Sequence, residues 1–291
     1  MADSPGKLFR KAVDQNKPLQ IVGTINAYCA IQAEHAGHQA IYLSGAGVAN
    51  ASCGLPDLGI TTLHDVLEDA RRITSASALP LLVDVDTGFG SAFSIARTVR
   101  EMEKAGVAAI HIEDQIADKR CGHRPGKQLV SKQEMGDRIK AALDSRQDDN
   151  FVIMARCDAL AGEGIDGVLE RCSYYAQIGA DIIFAEAMTD LEHYKKIKKQ
   201  TNIPLLANMT EFGKTGYATA SNFAAHEVDM VLYPLSAFRA MSQAAETVYK
   251  ALLEDGTQQN VLDIMQSRDE LYARLDYQSY EDKLDELYGR E

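Results

Sequence analysis

No apolar run in this 291-residue chain approaches the ~18 residues needed to cross a bilayer, which argues against a membrane-spanning protein. Met1-Ala2-Asp3-Ser4-Pro5-Gly6 holds no apolar core of a secretory signal, so a cytoplasmic location is expected. The cysteines (Cys29, Cys53, Cys121, Cys157, Cys172) are odd in number and include no C-x-x-C pair, which excludes a disulfide framework and a zinc ribbon. They suit a reducing compartment, where most free cysteines are small buried hydrophobes; Cys29 and Cys172 read that way and Cys121 does not. Positive charge is scarce too. A formal net charge of −12 argues against nucleic acid or an anionic membrane as partner, and an anionic substrate then requires cations concentrated locally. The chain shows no internal repeat and no low-complexity segment.

What is present is alternation. Short β-branched runs at 19–24, 40–44, 80–84, 109–113, 151–156, 181–186, 204–208 and 230–233 read as strands. Several are continuously apolar, as strands buried on both faces must be. Between them lie amphipathic helical stretches at 63–77, 92–105, 131–145, 165–178, 190–200 and 219–225. The pattern predicts a (β/α)8 TIM-type barrel, with an open doubly wound sheet as the alternative. Nearly every strand candidate ends in a polar residue, including Ser44, Asp84, Asp86, Glu113, Arg156, Glu186 and Asn208. Turn chemistry favours Gly, Asn and Asp and does not explain Arg or Glu emerging from apolar runs. In a barrel these ends converge on the face where active sites are built. The expected division is a barrel over 1–239 and a C-terminal helical extension over 240–291, apolar enough to pack on its own barrel or on a neighbouring subunit.

Several groups of residues carry chemistry. Asp84 and Asp86 lie two apart at a strand end, where an extended backbone points both side chains to one side; such a pair is often a turn or a cap, but paired carboxylates repel unless a cation sits between them. Mg²⁺ takes one or two protein carboxylates together with waters and substrate oxygens, with Glu113 a further contact and Mn²⁺ a substitute. The segment Lys119-Arg120-Cys121-Gly122-His123-Arg124-Pro125-Gly126-Lys127 crowds cations and a histidine around a thiol. Such surroundings favour thiolate, and the thiol can then exchange a proton near neutral pH. The loop is long and punctuated by Gly and Pro, which suits a lid over the site. Arg156, Arg239 and Arg268 are candidate forks for carboxylates, with Arg268 reading more simply as a surface residue. Ser44-Gly45-Ala46 offers backbone N–H groups to an anion or forms a tight turn. Asn208-Met209-Thr210 supplies neutral hydrogen-bonding groups, and Asp57 lies in a turn.

These residues resemble the isocitrate lyase/phosphoenolpyruvate mutase superfamily over nearly the whole chain. The resemblance is carried by Ile21-Val22-Gly23-Thr24-Ile25-Asn26-Ala27, Gly54-Leu55-Pro56-Asp57-Leu58-Gly59, Asp84-x-Asp86-x-Gly88-Phe89-Gly90, His111-Ile112-Glu113-Asp114-Gln115 and the Lys119–Pro125 stretch. It implies a helix-swapped barrel assembled as a homotetramer and the cleavage of (2S,3R)-2-methylisocitrate to pyruvate and succinate in the methylcitrate cycle of propionate catabolism. It further implies Mg²⁺ on Asp84 and Asp86. Substrate contacts are implied from Ser44, Gly45, Ala46, Cys121, Gly122, Arg156, Glu186, Asn208, Met209, Thr210, Arg239 and Arg268. Ala46 departs from the more usual third glycine, and Ala185 from a proline before Glu186. The expected chemistry is a retro-aldol (retro-Claisen-like) cleavage. Tyr42, Asp57 or a metal-bound water is the base for the 2-hydroxyl, and His123, Arg156, Asn208 and Thr210 stabilise the developing charge. Cys121 is the carbon acid. Phe184, Leu232 and Pro234 are expected around the 2-methyl group. Isocitrate lyases, usually longer, remain the nearest alternative; a phosphonate-type mutase or a non-catalytic assembly barrel are others.

Overall fold

The computed structural model describes residues 3–124 and 126–289. Eight strands, β1 (Leu19–Gly23), β2 (Ile41–Leu43), β3 (Leu81–Asp84), β4 (Ala109–Glu113), β5 (Val152–Cys157), β6 (Ile182–Ala185), β7 (Leu205–Asn208) and β8 (Met230–Tyr233), follow one another in sequence order. Each pairs in parallel with the next, and β8 pairs with β1 through Leu19↔Met230 to Val22↔Tyr233, closing the barrel. Closure removes the open-sheet alternative.

Side-chain alternation divides the apolar residues between two cores. Ile41, Leu43, Leu81, Val83, Ile110, Ile112, Ile153, Ile183, Leu205 and Val231 face outward and pack under the helices. Leu19, Ile21, Tyr42, Leu82, Met154, Phe184, Leu206, Met230 and Leu232 fill the interior. Each fully buried Leu, Ile or Phe contributes about 1.5–3 kcal/mol, so the rigidity of the polar rim above rests on this packing. The helices are placed by their ends. Ser131 accepts from the Glu134 N–H to start Lys132–Ser145, and a Thr62/Asp65 capping box starts Leu63–Ala76.

A helix that the periodicity did not reveal, Pro5–Gln15, sends Phe9, Ala12 and Val13 into the interior cluster beside Leu19 and Ile21, below the polar rim. At the opposite end of β1, a Cβ on Gly23 would lie 1.7 Å from the Pro234 carbonyl oxygen, so only glycine allows that approach.

The described residues fall into two compact units, the first ending at Phe238 and the second beginning at Arg239. The helix Ser236–Asp255 begins before this boundary, and the second unit continues with the helices Arg268–Arg274 and Tyr277–Tyr288. Among the described residues, no helix is long and apolar enough to cross a membrane.

Candidate active site

The polar residues predicted at the strand ends do meet. Asp84 ends β3 with its Oδ2 accepting the Gly45 N–H at 3.1 Å and its Oδ1 accepting the Asp86 N–H at 3.0 Å. Extended alternation was expected to bring the two aspartates to one side, but β3 stops at Asp84 and Asp86 turns at φ 48°. The left-handed turn does the work instead. A Cβ on Gly45 would lie 3.1 Å from Asp84 Oδ2 and 3.2 Å from Asp86 Oδ1, so both carboxylates press on the same glycine. The stretch read as a glycine-rich turn is therefore helical, Gly45–Gly47 running into a π-helical Val48–Ser52, and the Gly45 N–H is already engaged.

Around this pair, carboxylates outnumber permanent cations. Among the described residues, Asp57, Asp86, Glu113, Asp158 and Glu186 pair with the three cations Lys119, Lys127 and Arg156, with His123 beside Glu186. Lys119 Nζ lies 2.5 Å from both Asp57 Oδ1 and Asp86 Oδ1. That ion pair falls outside hydrogen-bonding geometry at Asp86, whose Oδ1 stays without a hydrogen-bond partner, as do both carboxylate oxygens of Glu113. The shortage of positive charge is visible in proton affinities. Burial and the neighbouring Asp84 push Asp86 up to about 6, against the pull of Lys119. Burial likewise holds Glu113 well above the usual carboxylate range. Asp84 goes the other way: burial would raise it, but His111, Lys119 and Arg156 hold it at about 2.

Orphaned buried carboxylate oxygens next to a converging aspartate pair fit a hard divalent cation. No group of three or more His, Cys, Asp or Glu side chains among the described residues is arranged to enclose an ion unaided.

The cationic loop folds onto this mouth. Its cations were expected to surround the thiol; Lys119, His123 and Lys127 reach carboxylates. Lys119 joins Asp57 and Asp86, and His123 Nε2 lies 2.9 Å from Glu186 Oε1 while its Nδ1 accepts the Lys214 N–H at 3.0 Å. Lys127 donates to Asp158 Oδ1 at 2.8 Å. Gly122 seats so closely that an added Cβ would fall 2.5 Å from Arg156 Nη2 and 2.7 Å from Glu186 Cγ. Cys121, half-buried, therefore stands one residue from the Arg156–Glu186 pair and not on a remote surface. Pro125 lies outside the described residues.

Arg156 sits at the centre. Its Nε donates to Asp158 Oδ2 at 2.9 Å, and Glu186 Oε2 lies 3.6 Å from its Nη2. The Phe184 ring lies 5.3 Å from the guanidinium carbon. Burial would raise the Glu186 pKa, but Arg156 and the His123 hydrogen bond bring it down to about 2. Asn208 Nδ2 reaches both Glu186 oxygens at 3.3 Å, and Thr210 is buried beside the same wall, an added Cβ on Gly213 falling 2.8 Å from its methyl and 3.0 Å from the His123 ring. Met209 departs from expectation: its side chain joins the outer core and its N–H donates to the Leu232 carbonyl at 2.8 Å. Ser44 is buried at the helix start and Ala46 half-buried. Phe184 and Leu232 belong to the interior core, and Pro234 is buried against Gly23. Arg239 and Arg268 belong to the second unit, the latter opening the helix Arg268–Arg274.

The sequence reading missed His111. It is fully buried on β4, its Nε2 is 3.0 Å from the Tyr42 hydroxyl, and its Nδ1 is 3.7 Å from Asp84 Oδ1. Burial holds it at about 4, so the ring is neutral, and burial also pushes the Tyr42 phenol well up. A single histidine inside an apolar run carried no signal beyond its polarity. Beside Asp86 and Lys119 opens a cavity of about 700 Å³, walled by Thr61, Thr62, Phe89, Ser94 and Arg97.

Residues 9–253 match the phosphoenolpyruvate phosphomutase family. A 2-methylisocitrate lyase of Vibrio cholerae serotype O1 is 62% identical over 296 residues, covering 100% of this chain and 96% of that protein. The crystal structure of 2,3-dimethylmalate lyase, a PEP mutase/isocitrate lyase superfamily member, superposes with a TM-score of 0.89 at 31% identity, covering 99% of this chain and 97% of the other. A phosphonopyruvate hydrolase solved with oxalate and Mg²⁺ superposes with a TM-score of 0.83 at 29% identity, covering 96% and 98%. Matched in this way along almost its entire length, with the carboxylate-rich barrel mouth in place, the chain belongs to the phosphoenolpyruvate phosphomutase family of the PEP mutase/isocitrate lyase superfamily.

Proposed function

We infer that the protein is a metal-dependent carbon–carbon lyase that cleaves (2S,3R)-2-methylisocitrate to pyruvate and succinate, the step that serves the methylcitrate cycle of propionate catabolism. The observation that carries this reading is full-length identity of 62% to a 2-methylisocitrate lyase. The site supports it: a cysteine-bearing loop is seated on an arginine at a mouth too rich in carboxylates to accept a polycarboxylate without a cation.

Asp84 and Asp86 would hold the ion, Mg²⁺ or Mn²⁺, with Glu113 as a further contact. When bound, the cation supplies Lewis acidity that lowers the pKa of the substrate 2-hydroxyl and offsets carboxylate charge. Asp57, whose carboxylate lies 2.5 Å from Lys119 Nζ, takes the hydroxyl proton. The deeply buried Tyr42 phenol, costly to ionise, donates a hydrogen bond. The C2–C3 bond breaks, its electron pair passes to C3, and C2 becomes the keto carbon of pyruvate. Arg156, His123, Asn208 and Thr210 stabilise the charge spreading onto the neighbouring carboxylate. The Cys121 thiol then gives its proton to C3, completing succinate and leaving thiolate. Ser44, Gly45, Ala46, Gly122 and Glu186 complete the substrate contacts of the barrel mouth. Phe184, Leu232 and Pro234 shape the space for the 2-methyl group, where one methyl is worth only about 1–3 kcal/mol.

The second unit leaves Met241, Tyr249, Leu252 and Leu253 exposed on one helix, which supports a helix-swapped homotetramer; monomeric behaviour in light scattering would remove that element. A cytoplasmic location suits the free cysteines. The deciding experiment measures pyruvate release from 2-methylisocitrate, isocitrate and 2,3-dimethylmalate side by side, with and without Mg²⁺. Turnover of isocitrate or dimethylmalate in preference to 2-methylisocitrate sinks the assignment.

A further inference from the structure

Asp158 follows β5 directly and is 1% exposed. Its carboxylate serves two cations from different parts of the chain. Oδ2 accepts from Arg156 Nε at 2.9 Å, and Oδ1 accepts from Arg156 Nη2 at 3.3 Å. Oδ1 also accepts from Lys127 Nζ, on the cysteine-bearing loop, at 2.8 Å. Behind it, the Asp158 N–H donates to Asp114 Oδ1 at 2.9 Å. Asp114 Oδ2 in turn accepts from the Tyr175 hydroxyl at 2.9 Å and from Arg171 at 3.4 Å, and Arg171 is forked onto Glu163 at 2.6 and 2.7 Å. Asp158 is thus anchored from the helix shell before it touches the site.

The side-on fork consumes Nε and one proton of Nη2. The Phe184 ring lies against the guanidinium plane, and Glu113 and Glu186 stand at 3.4 and 3.6 Å. Nη1 has no hydrogen bond to any described residue. We propose that Asp158 is a positioning residue: it fixes Arg156 with the Nη1 edge toward the substrate carboxylate, and through the shared Oδ1 it ties that orientation to the seating of the cysteine loop by Lys127. The proposal rests on the lyase reading, in which Arg156 grips a substrate carboxylate. Physically, the coupling arises because a buried carboxylate is costly unless its charge is met, so loss of either cation changes the field on the other. Arg156 and Lys127 are 29 residues apart in sequence, and among the described residues this is the carboxylate hydrogen-bonded to both.

The test compares Asp158→Asn, Lys127→Met and the double variant with wild type. Three readouts are used: succinate affinity by calorimetry in Mg²⁺, trypsin cleavage after Lys119 and Arg120, and kcat and KM for pyruvate release. Lys127→Met is expected to speed loop cleavage roughly tenfold, lower kcat and weaken succinate roughly threefold, because the field on Arg156 changes with it; wild-type succinate affinity in this variant overturns the coupling. Asp158→Asn is expected to speed cleavage as much and also to weaken succinate roughly tenfold and raise KM. The double variant is expected to behave as Asp158→Asn alone, because both changes remove one shared interaction. Additive effects overturn the proposal, as does wild-type succinate affinity in Asp158→Asn. Should Asp158→Asn fail to fold, Lys127→Met decides: loop cleavage at the wild-type rate overturns the coupling. A wild-type protein that neither binds succinate nor releases pyruvate overturns the lyase reading itself, and the positioning role falls with it. Normal wild-type binding and turnover with an indifferent Asp158→Asn removes the positioning role alone.

Discussion

Replacing Gly122 by alanine tests whether the cysteine loop must sit on Arg156 for catalysis. The new methyl would lie 2.5 Å from Arg156 Nη2, 2.7 Å from Glu186 Cγ and 2.9 Å from Glu186 Cδ. None of these atoms is the free end of a flexible surface chain: Arg156 is 8% and Glu186 1% exposed, and both are held by ion pairs. The loop must therefore lift. Overpacking of this kind costs about 1–3 kcal/mol. At about 1.36 kcal/mol per decade, kcat/KM for pyruvate release is expected to fall between about 5- and 150-fold. Gly122 has no left-handed φ, so alanine introduces no backbone strain and the effect isolates the contact. The melting temperature should barely move, because the loop lies outside both apolar cores. Gly162→Ala is the control: it has nothing within 4 Å, lies exposed on a helix, and should leave kcat/KM unchanged while stabilising by about 0.5–1 kcal/mol. Wild-type kcat/KM in Gly122→Ala refutes the seating of this loop during turnover.

Cys121→Ser should lower kcat by about 10²- to 10⁴-fold with little change in succinate affinity, the loss expected of a general acid; undiminished turnover removes that role. Asp86→Asn, a residue type that tolerates the left-handed turn at φ 48°, should weaken Mn²⁺ binding, read directly by electron paramagnetic resonance. Phe184→Ala should lower stability by about 3–5 kcal/mol in denaturant unfolding, because it empties part of the barrel interior beneath Arg156. For Glu186, the folded pKa of about 2 lies below the ordinary 4.5, so its charge stabilises the fold above pH 4.5, and that contribution is lost as pH falls toward 2. The stability difference between wild type and Glu186→Gln should therefore shrink steadily between pH 5 and about 2; a difference that grows on acidification contradicts the pairing with Arg156 and His123.

Hydrophobic period by itself determined the eight strands and their order, with Ala109–Glu113 and Met230–Tyr233 read to the residue. A strand buried on both faces must be apolar throughout, so a polar residue at its end stands out; Asp84, Glu113, Arg156, Glu186 and Asn208 were legible for that reason. Pro5–Gln15 was not, since its buried face is Gly6, Phe9, Ala12 and Val13 and its partner is a core assembled from the whole barrel. Nor was the turn that brings Asp86 to Asp84, because local dihedrals there serve a contact with Gly45, thirty-nine residues earlier than Asp84. Composition gave the loop its cations but not their partners. Lys119 meets Asp57 and Asp86, His123 meets Glu186, and Lys127 meets Asp158 only once barrel closure sets the strands side by side. Charge pairing depends on distance through space, and the tertiary structure alone decides that distance.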